Sequence, residues 1–210
     1  MEKQQGMVVS GYGGFYQIRL PDGQIVNCKP RGRLKKTFSK IYVGDRVAIS
    51  FLSDGSGMIE DIHQRRNFLP RPNIVNVDQI LIVLAWRMPA YDLLLLDRML
   101  VIAQKAAIQP LICFNKIDLL DDNISQYQKI KDAYTRAGFS VFAVSATQNT
   151  GMDELRAALS HGTTVMAGQS GVGKSSLLNR LLPEENAEVG DVSERLRRGR
   201  HTTRYTRILQ

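Results

Sequence analysis

Cysteine and histidine are scarce in this sequence of 210 residues, which contains two cysteines and three histidines. Cys28 and Cys113 lie far apart within apolar or strand-like segments, so neither a disulfide framework nor a zinc-binding spacing is present. We therefore expect two reduced, buried thiols, as is typical of cytoplasmic proteins. His63 and His161 lie near the predicted ends of a strand and a helix, and we interpret both as structural.

Long hydrophobic runs are also lacking. The longest, Ile80 to Trp86, is too short to cross a bilayer, and the first residues do not have the pattern of a signal peptide. Acidic residues are outnumbered, with 20 Asp and Glu against 28 Lys and Arg and a net charge of +8. This excess favours a polyanionic partner, although charge alone does not separate RNA, DNA and an acidic membrane surface. We expect a cytoplasmic monomer without membrane association.

Residues 1–69 predict a small β-barrel domain. Short runs of alternating or nearly alternating apolar residues occur at 7–9, 15–20, 24–28, 46–51 and 57–62, and Pro21-Asp22-Gly23 is a turn between two of them. Five such strands favour an OB-fold, with an SH3-like barrel as the alternative.

A basic segment interrupts these strand patterns between residues 29 and 40. It contains no acidic residue, so it is either a solvated loop or a nucleic-acid contact that neutralises phosphates. As candidate RNA-binding residues it offers Lys29, Arg31, Arg33, Lys35 and Lys36.

Residues 70–210 predict an α/β domain that begins with a linker at residues 71–73. Apolar strand patterns at 78–86, 109–114, 139–144 and 163–167 alternate with helical patterns at 91–104, 124–137, 152–159 and 174–182. This alternation predicts a mostly parallel sheet with helices on both faces.

A phosphate-binding loop lies between the last predicted strand and helix of this domain. Its glycines let backbone N–H groups turn towards phosphate oxygens, its lysine can neutralise the β- and γ-phosphates, and its serine can ligate Mg²⁺. The alternative is an ordinary glycine-rich turn. The motif comprises Gly168, Gln169, Ser170, Gly171, Val172, Gly173, Lys174 and Ser175, and Ser176 comes directly after it.

A guanine-recognition signal occurs upstream of this loop. In the tetrapeptide Asn115, Lys116, Ile117 and Asp118, the carboxylate can accept both the N1–H and the exocyclic amine of guanine, a donor pair that adenine lacks. Ser145 and Ala146 also follow a predicted strand and could bring a backbone N–H to the guanine O6. Ordinary GTPases have these elements in the opposite order, so the sequence predicts a circularly permuted GTPase. A P-loop ATPase with an accidental tetrapeptide is the weaker alternative.

These motifs and their order resemble the family of ribosome small subunit-dependent GTPase A (RsgA). The matching segments are residues 115–118, 145–146, 168–176 and 199–203, together with the predicted barrel and the helical residues 96–98. The resemblance implies an OB-fold, a permuted GTPase domain that uses GTP or GDP with magnesium, and a role in late maturation of the small ribosomal subunit through rRNA binding.

The resemblance also assigns roles to the arginine-rich segment after the phosphate-loop helix, where the first switch is expected. It implies that Thr202 or Thr203 meets the γ-phosphate and Mg²⁺, and we assign the metal to Ser175 and Thr203. It makes His201 the catalytic residue, although a histidine facing RNA or solvent is an alternative. Candidate rRNA contacts are Arg197, Arg198 and Arg200. A disordered basic tail is the remaining interpretation.

The family continues with an Asp-Thr-Pro-Gly motif and a Cys/His zinc domain, neither of which this sequence contains. We therefore expect a C-terminally truncated GTPase domain, with zinc bound only in the absent domain. This expectation leads to an alternative function, an RNA-binding module that has a guanine-nucleotide pocket but does not turn GTP over.

Overall fold

The computed structural model describes residues 3–32, 40–70, 72–120 and 124–182. Within these ranges the chain forms two compact units that divide between Val77 and Asp78. The domain boundary that the sequence suggested, between residues 69 and 70, stays a prediction. Among the described residues, no helix is both long and apolar enough to cross a membrane.

The first unit contains a closed five-stranded barrel. The strands follow the order β1-β2-β3-β5-β4, and β1 pairs with β4 to close the barrel. All pairings are antiparallel except that of β3 with β5, which is parallel. This arrangement confirms the predicted OB-type barrel. The strands are β1 (Gln4–Tyr12), β2 (Phe15–Arg19), β3 (Ile25–Pro30), β4 (Arg46–Phe51) and β5 (Gly57–Ile62).

The barrel interior is filled by apolar side chains that alternate along the strands. Val26 and Cys28 of β3 are buried, whereas the intervening Asn27 is exposed, as expected for a strand with one face in the core. Burial raises the pKa of Cys28 to about 11, so this thiol is neutral. Cys113, in the second unit, is also a buried free thiol, and both thiols thus match the expectation.

A short hairpin comes after the barrel, where the sequence predicted a linker. Strands β6 (Phe68–Pro70) and β7 (Asn73–Val75) pair antiparallel, with Pro70 opposite Asn73. Leu69 and Ile74 are buried, so the hairpin contributes to the packing of the first unit. The sequence patterns did not indicate this pairing on either side of the predicted linker. The strands are too short to show an alternating pattern, and the nearby prolines suggested a break.

The second unit is built around a parallel sheet with the order β10-β9-β8-β11. Its strands are β8 (Gln79–Ala85), β9 (Gln109–Asn115), β10 (Ser140–Ala143) and β11 (Thr164–Ala167). Its helices are α1 (Leu93–Lys105), α2 (Ile124–Arg136), α3 (Met152–Ala158) and α4 (Lys174–Leu181), with a 3₁₀ turn at Ile117–Leu119.

Helices cover both faces of this sheet, as predicted. On one face, Leu81 and Cys113 belong to the apolar cluster that contains Leu155 of α3 and Leu177 of α4. Phe114 points the other way, and its ring centroid lies 5.8 Å from that of Tyr127 in α2. Because all four strands run parallel, the loops after them meet at one edge of the sheet, which is where a ligand site is expected.

Candidate nucleotide-binding site

The phosphate loop connects β11 to α4 and depends on glycine backbone geometry. Gly168, Gly171 and Gly173 all have positive φ, at +146°, +83° and +94°. At Gly173 a Cβ would also collide with the side-chain amide of Asn115. Glycine is therefore needed at this position for both conformation and space. Helix α4 begins at the next residue, so its N-terminal N–H groups and dipole favour an anion here.

Lys174 lies over the phosphate loop. Its Nζ donates to the carbonyl oxygens of Gly168, at 2.9 Å, and Gln169, at 2.7 Å. Burial lowers the pKa of its ammonium group. A phosphate anion nearby would favour the charged form, so nucleotide binding and this positive charge would support each other.

Asn115 joins the end of β9 to the two loops beside it. The side chain is buried, and its Nδ2 donates to the Val172 carbonyl at 2.9 Å. Its Oδ1 accepts the N–H of Ala146 at 3.2 Å. The phosphate loop and the loop after β10 are therefore held together through one amide group. An amide nitrogen has two hydrogens, so one remains to donate to a ligand.

Lys116 makes a second connection to the phosphate loop. The residue has a left-handed backbone, with φ +60°, and its Nζ donates to the Gly171 carbonyl at 2.8 Å. The same Nζ also donates to the carbonyl of Met88, in the loop after β8. No sequence pattern marked Met88, because it takes part only through its backbone.

Asp118 is oriented by Ser145. The hydroxyl of this fully buried serine donates to Asp118 Oδ1 at 2.5 Å and accepts the N–H of Gln148 at 3.1 Å. One carboxylate oxygen is thus fixed to the loop after β10. A carboxylate has further lone pairs, so Asp118 can still accept hydrogen bonds from a ligand.

Apart from Lys29, at the end of β3, and Arg31, directly after β3, the remaining predicted residues fall into two groups. Ser175 and Ser176 lie in the first turn of α4, beside the phosphate loop. The other group lies outside the described residues and consists of Arg33, Lys35, Lys36, Arg197, Arg198, Arg200, His201, Thr202 and Thr203.

The described residues contain no group of three or more His, Cys, Asp or Glu side chains that could hold a metal ion. Magnesium does not need such a cluster in a nucleotide site, because it keeps several waters and takes phosphate oxygens together with one or two protein oxygens. The Ser175 hydroxyl, next to Lys174, is a suitable oxygen ligand of this kind.

Comparison with known proteins identifies the family of this chain. The model for the RsgA N-terminal domain matches residues 5–59, and the model for the RsgA GTPase matches residues 62–210. This chain belongs to the RsgA family. The chain therefore contains a GTPase domain, and the resemblance inferred from its motifs is confirmed.

Similar proteins include two curated relatives named "Small ribosomal subunit biogenesis GTPase RsgA". The relative from Clostridium perfringens strain SM101 is 39% identical over 205 residues, which are 98% of this chain and 70% of the relative. The one from Ruminiclostridium cellulolyticum is 41% identical, over 99% of this chain and 68% of the relative.

Two solved structures of RsgA-like proteins support the fold. YjeQ from Thermotoga maritima matches 87% of this chain with a TM-score of 0.81 and 34% identity. YloQ, described as a circularly permuted GTPase, matches 85% with a TM-score of 0.73 and 35% identity. The chain spans about two thirds of each solved chain, at 66% and 64%. These matches confirm the circularly permuted GTPase fold.

Proposed function

We propose that this chain binds GTP and GDP with Mg²⁺, that it hydrolyses GTP, and that the protein acts in biogenesis of the small ribosomal subunit. The observation that carries the nucleotide part is the contact of Asn115 with both Val172 and Ala146. A single molecule can therefore meet the phosphate loop and the guanine-recognition residues at once. The names of the relatives support the ribosomal part.

On this proposal, the phosphate half of the site works by charge and by backbone donors. The N–H groups of the glycine-rich loop and of the first turn of α4 bind phosphate oxygens, and Lys174 neutralises the β- and γ-phosphates. Ser175 would hold Mg²⁺, which would supply charge neutralisation to the phosphates when bound. By family resemblance, Thr202 or Thr203 would be a second ligand, with Thr203 our assignment, and His201 would orient the attacking water.

The base half selects guanine. Asp118 accepts the N1–H and the exocyclic amine, while the second amide hydrogen of Asn115 donates to the base and the Lys116 stem covers its face. Ser145 fixes one oxygen of Asp118, so the carboxylate is oriented before the ligand arrives. Adenine offers this carboxylate no such donor pair, so the oxygen that Ser145 does not bind would lose its partners from the base; a polar group left unsatisfied in a buried site costs about 1–3 kcal/mol.

A nucleotide competition assay on the 210-residue chain tests this proposal. A fluorescent GDP should be displaced by GDP far better than by ADP, and equal affinities would overturn guanine recognition. In Asp118→Asn, one acceptor becomes a donor, so preference should shift from GDP towards xanthosine diphosphate. Retained GDP preference in this variant would remove Asp118 from the base site, and Asp132→Asn, on the surface of α2, is the matched control.

GTP turnover tests the enzymatic and ribosomal parts. The 210-residue chain should hydrolyse GTP faster in the presence of small ribosomal subunits, and no stimulation would contradict the ribosomal role. Turnover in the absence of subunits separates a GTPase from an RNA-binding module that only holds the nucleotide.

We further propose that the barrel binds rRNA. Its β1–β2 hairpin exposes 82% of Tyr12 and 54% of Phe15, and the Nζ of Lys29 lies 4.6 Å from the Phe15 ring centroid. Aromatic rings next to cations suit unpaired bases and their phosphates. Arg31 already pairs with Glu60 at 2.5 Å, so we rank it below Lys29 as an RNA contact. Because its relatives are named small ribosomal subunit biogenesis factors, we propose that the protein acts in the cytoplasm, as a monomer.

A further inference from the structure

The last turn of α4 contacts the loop that comes after β10. Residues 145–150, here called the base loop, are closed by a bridge between Ser145 and Thr150. Arg180, in the last turn of α4, donates from its Nε to the carbonyl of Ala146 at 3.2 Å. This bond joins the far end of the phosphate-loop helix to the base loop.

Ala146 is consequently held through both of its backbone groups. Its N–H donates to Asn115 Oδ1, and its carbonyl accepts from Arg180. The orientation of this backbone segment, and of the N–H groups beside it, therefore depends on two side chains from different elements. Asn115 belongs to the guanine motif, whereas nothing in the sequence marked Arg180.

Arg180 is itself held in position by α3. Its carbonyl accepts a hydrogen bond from Nη2 of Arg156 at 3.0 Å, and Arg156 also pairs with Asp153 at 2.8 Å. A cation near the last carbonyls of a helix is favourable. The Nε of the Arg180 guanidinium is bonded to the Ala146 carbonyl, and no carboxylate of the described residues pairs with this arginine.

The base loop also lies next to the carboxylate that would read the base. Ser145 Oγ is 2.5 Å from Asp118 Oδ1. In guanine, O6 is the neighbour of N1 on the edge that such a carboxylate would bind. A backbone N–H of a loop beside Asp118 would therefore come near O6 when the carboxylate engages N1–H.

We propose that Arg180 is a positioning residue for guanine recognition, which holds the base loop in place for O6 through the Ala146 carbonyl. The inference rests on the proposed function, since it assumes a guanine nucleotide in this site. Arg180 does not touch the nucleotide on this view, and its effect is confined to the base. The phosphate loop adjoins the opposite end of α4 and is unaffected.

Dissociation of fluorescent GDP from the 210-residue chain tests this role. Arg180→Ala should release GDP about fivefold faster, the effect of one lost hydrogen bond of ordinary net strength. Arg180→Lys should recover part of this loss, because an ammonium group can donate to the same carbonyl. Arg136→Ala is the matched control, since Arg136 is also exposed in the last turn of a helix, and it should behave as the unmodified chain.

Two ligand analogues separate positioning from general loss of structure. The riboside diphosphate of 2-aminopurine lacks both O6 and the N1–H that Asp118 would bind. Because the missing N1–H affects the variant and the unmodified chain alike, Arg180→Ala should lower the preference for GDP over this analogue by a similar factor. Inorganic tripolyphosphate occupies only the phosphate half, and its competition should be unchanged.

Two results would overturn the proposal: GDP release within about twofold of the control variant, or equal weakening of GDP, the 2-aminopurine analogue and tripolyphosphate. Failure of the proposed function would look different, because the unmodified chain would then bind GDP and ADP equally. In that case guanine recognition and the proposed role of Arg180 would both be refuted.

Discussion

Replacing Asn115 by alanine should destabilise the second unit and weaken nucleotide binding together. The residue is 2% exposed, and removal of its side chain leaves the Val172 carbonyl and the Ala146 N–H without their partner. Each unsatisfied buried polar group costs about 1–3 kcal/mol, so we expect a loss of about 2–5 kcal/mol in the free energy of unfolding. That is a large fraction of the total for an ordinary domain.

Intrinsic tryptophan fluorescence in urea measures this loss in the second unit, which contains Asn115. Trp86 is the only tryptophan of the chain, it is buried in the second unit, and its ring stacks on Tyr91 at a centroid distance of 4.9 Å. The unfolding midpoint of Asn115→Ala should fall while the slope stays the same. GDP affinity of the folded variant should also fall, because two loops lose their common anchor.

The matched control is Asn179→Ala, which removes an exposed asparagine from α4 and should change stability by less than about 0.5 kcal/mol. An equally small change in Asn115→Ala would refute the reasoning, since the two hydrogen bonds could then not be holding the loops. A stability loss without any loss of GDP affinity would keep Asn115 as a structural residue and remove it from the base site.

Three further predictions concern the barrel and the thiols. Asp45→Asn should lower the free energy of unfolding of the first unit by about 3–5 kcal/mol, because the buried Asp45 carboxylate accepts two hydrogen bonds from Arg65, at 2.7 and 2.9 Å. Thermal unfolding measures this loss, and an unchanged melting temperature would contradict the prediction. Burial raises the pKa of Cys28 to about 11 and raises the pKa of Cys113 further. Ellman's reagent at about pH 8 should therefore label the two thiols only after the protein unfolds. Rapid labelling of the native chain would show that a thiol is accessible. Lys29→Glu should weaken rRNA binding and reduce the slope of the logarithm of the binding constant against the logarithm of salt concentration by about one. Fluorescence anisotropy at several salt concentrations measures both effects. The exposed Lys105→Glu is the control, and equal behaviour of the two variants would assign the effect to net charge.

The patterns that sequence reasoning interpreted correctly are local ones. Alternation around Cys28 predicted a barrel strand, and the spacing of glycines before Lys174 predicted a strand, a turn and a helix. The hairpin at residues 68–75 was missed because strands of three residues are too short for a periodic signal. Met88 and Arg180 were missed for another reason. Each contact involves a backbone carbonyl, and any residue type supplies such a carbonyl.

The sheet order explains why reversal of the motifs along the chain does not disturb the site. Strand β11, which leads into the phosphate loop, comes last in sequence but pairs with β8, the first strand of the sheet. Parallel strands bring their loops to one edge whatever their order in the chain, so Val172 reaches Asn115 across 57 residues. Permutation instead alters the covalent neighbours of each half of the site. Residues 183–210 continue directly from α4, a few residues beyond the arginine that holds the base loop, and they contain the segment predicted as the first switch.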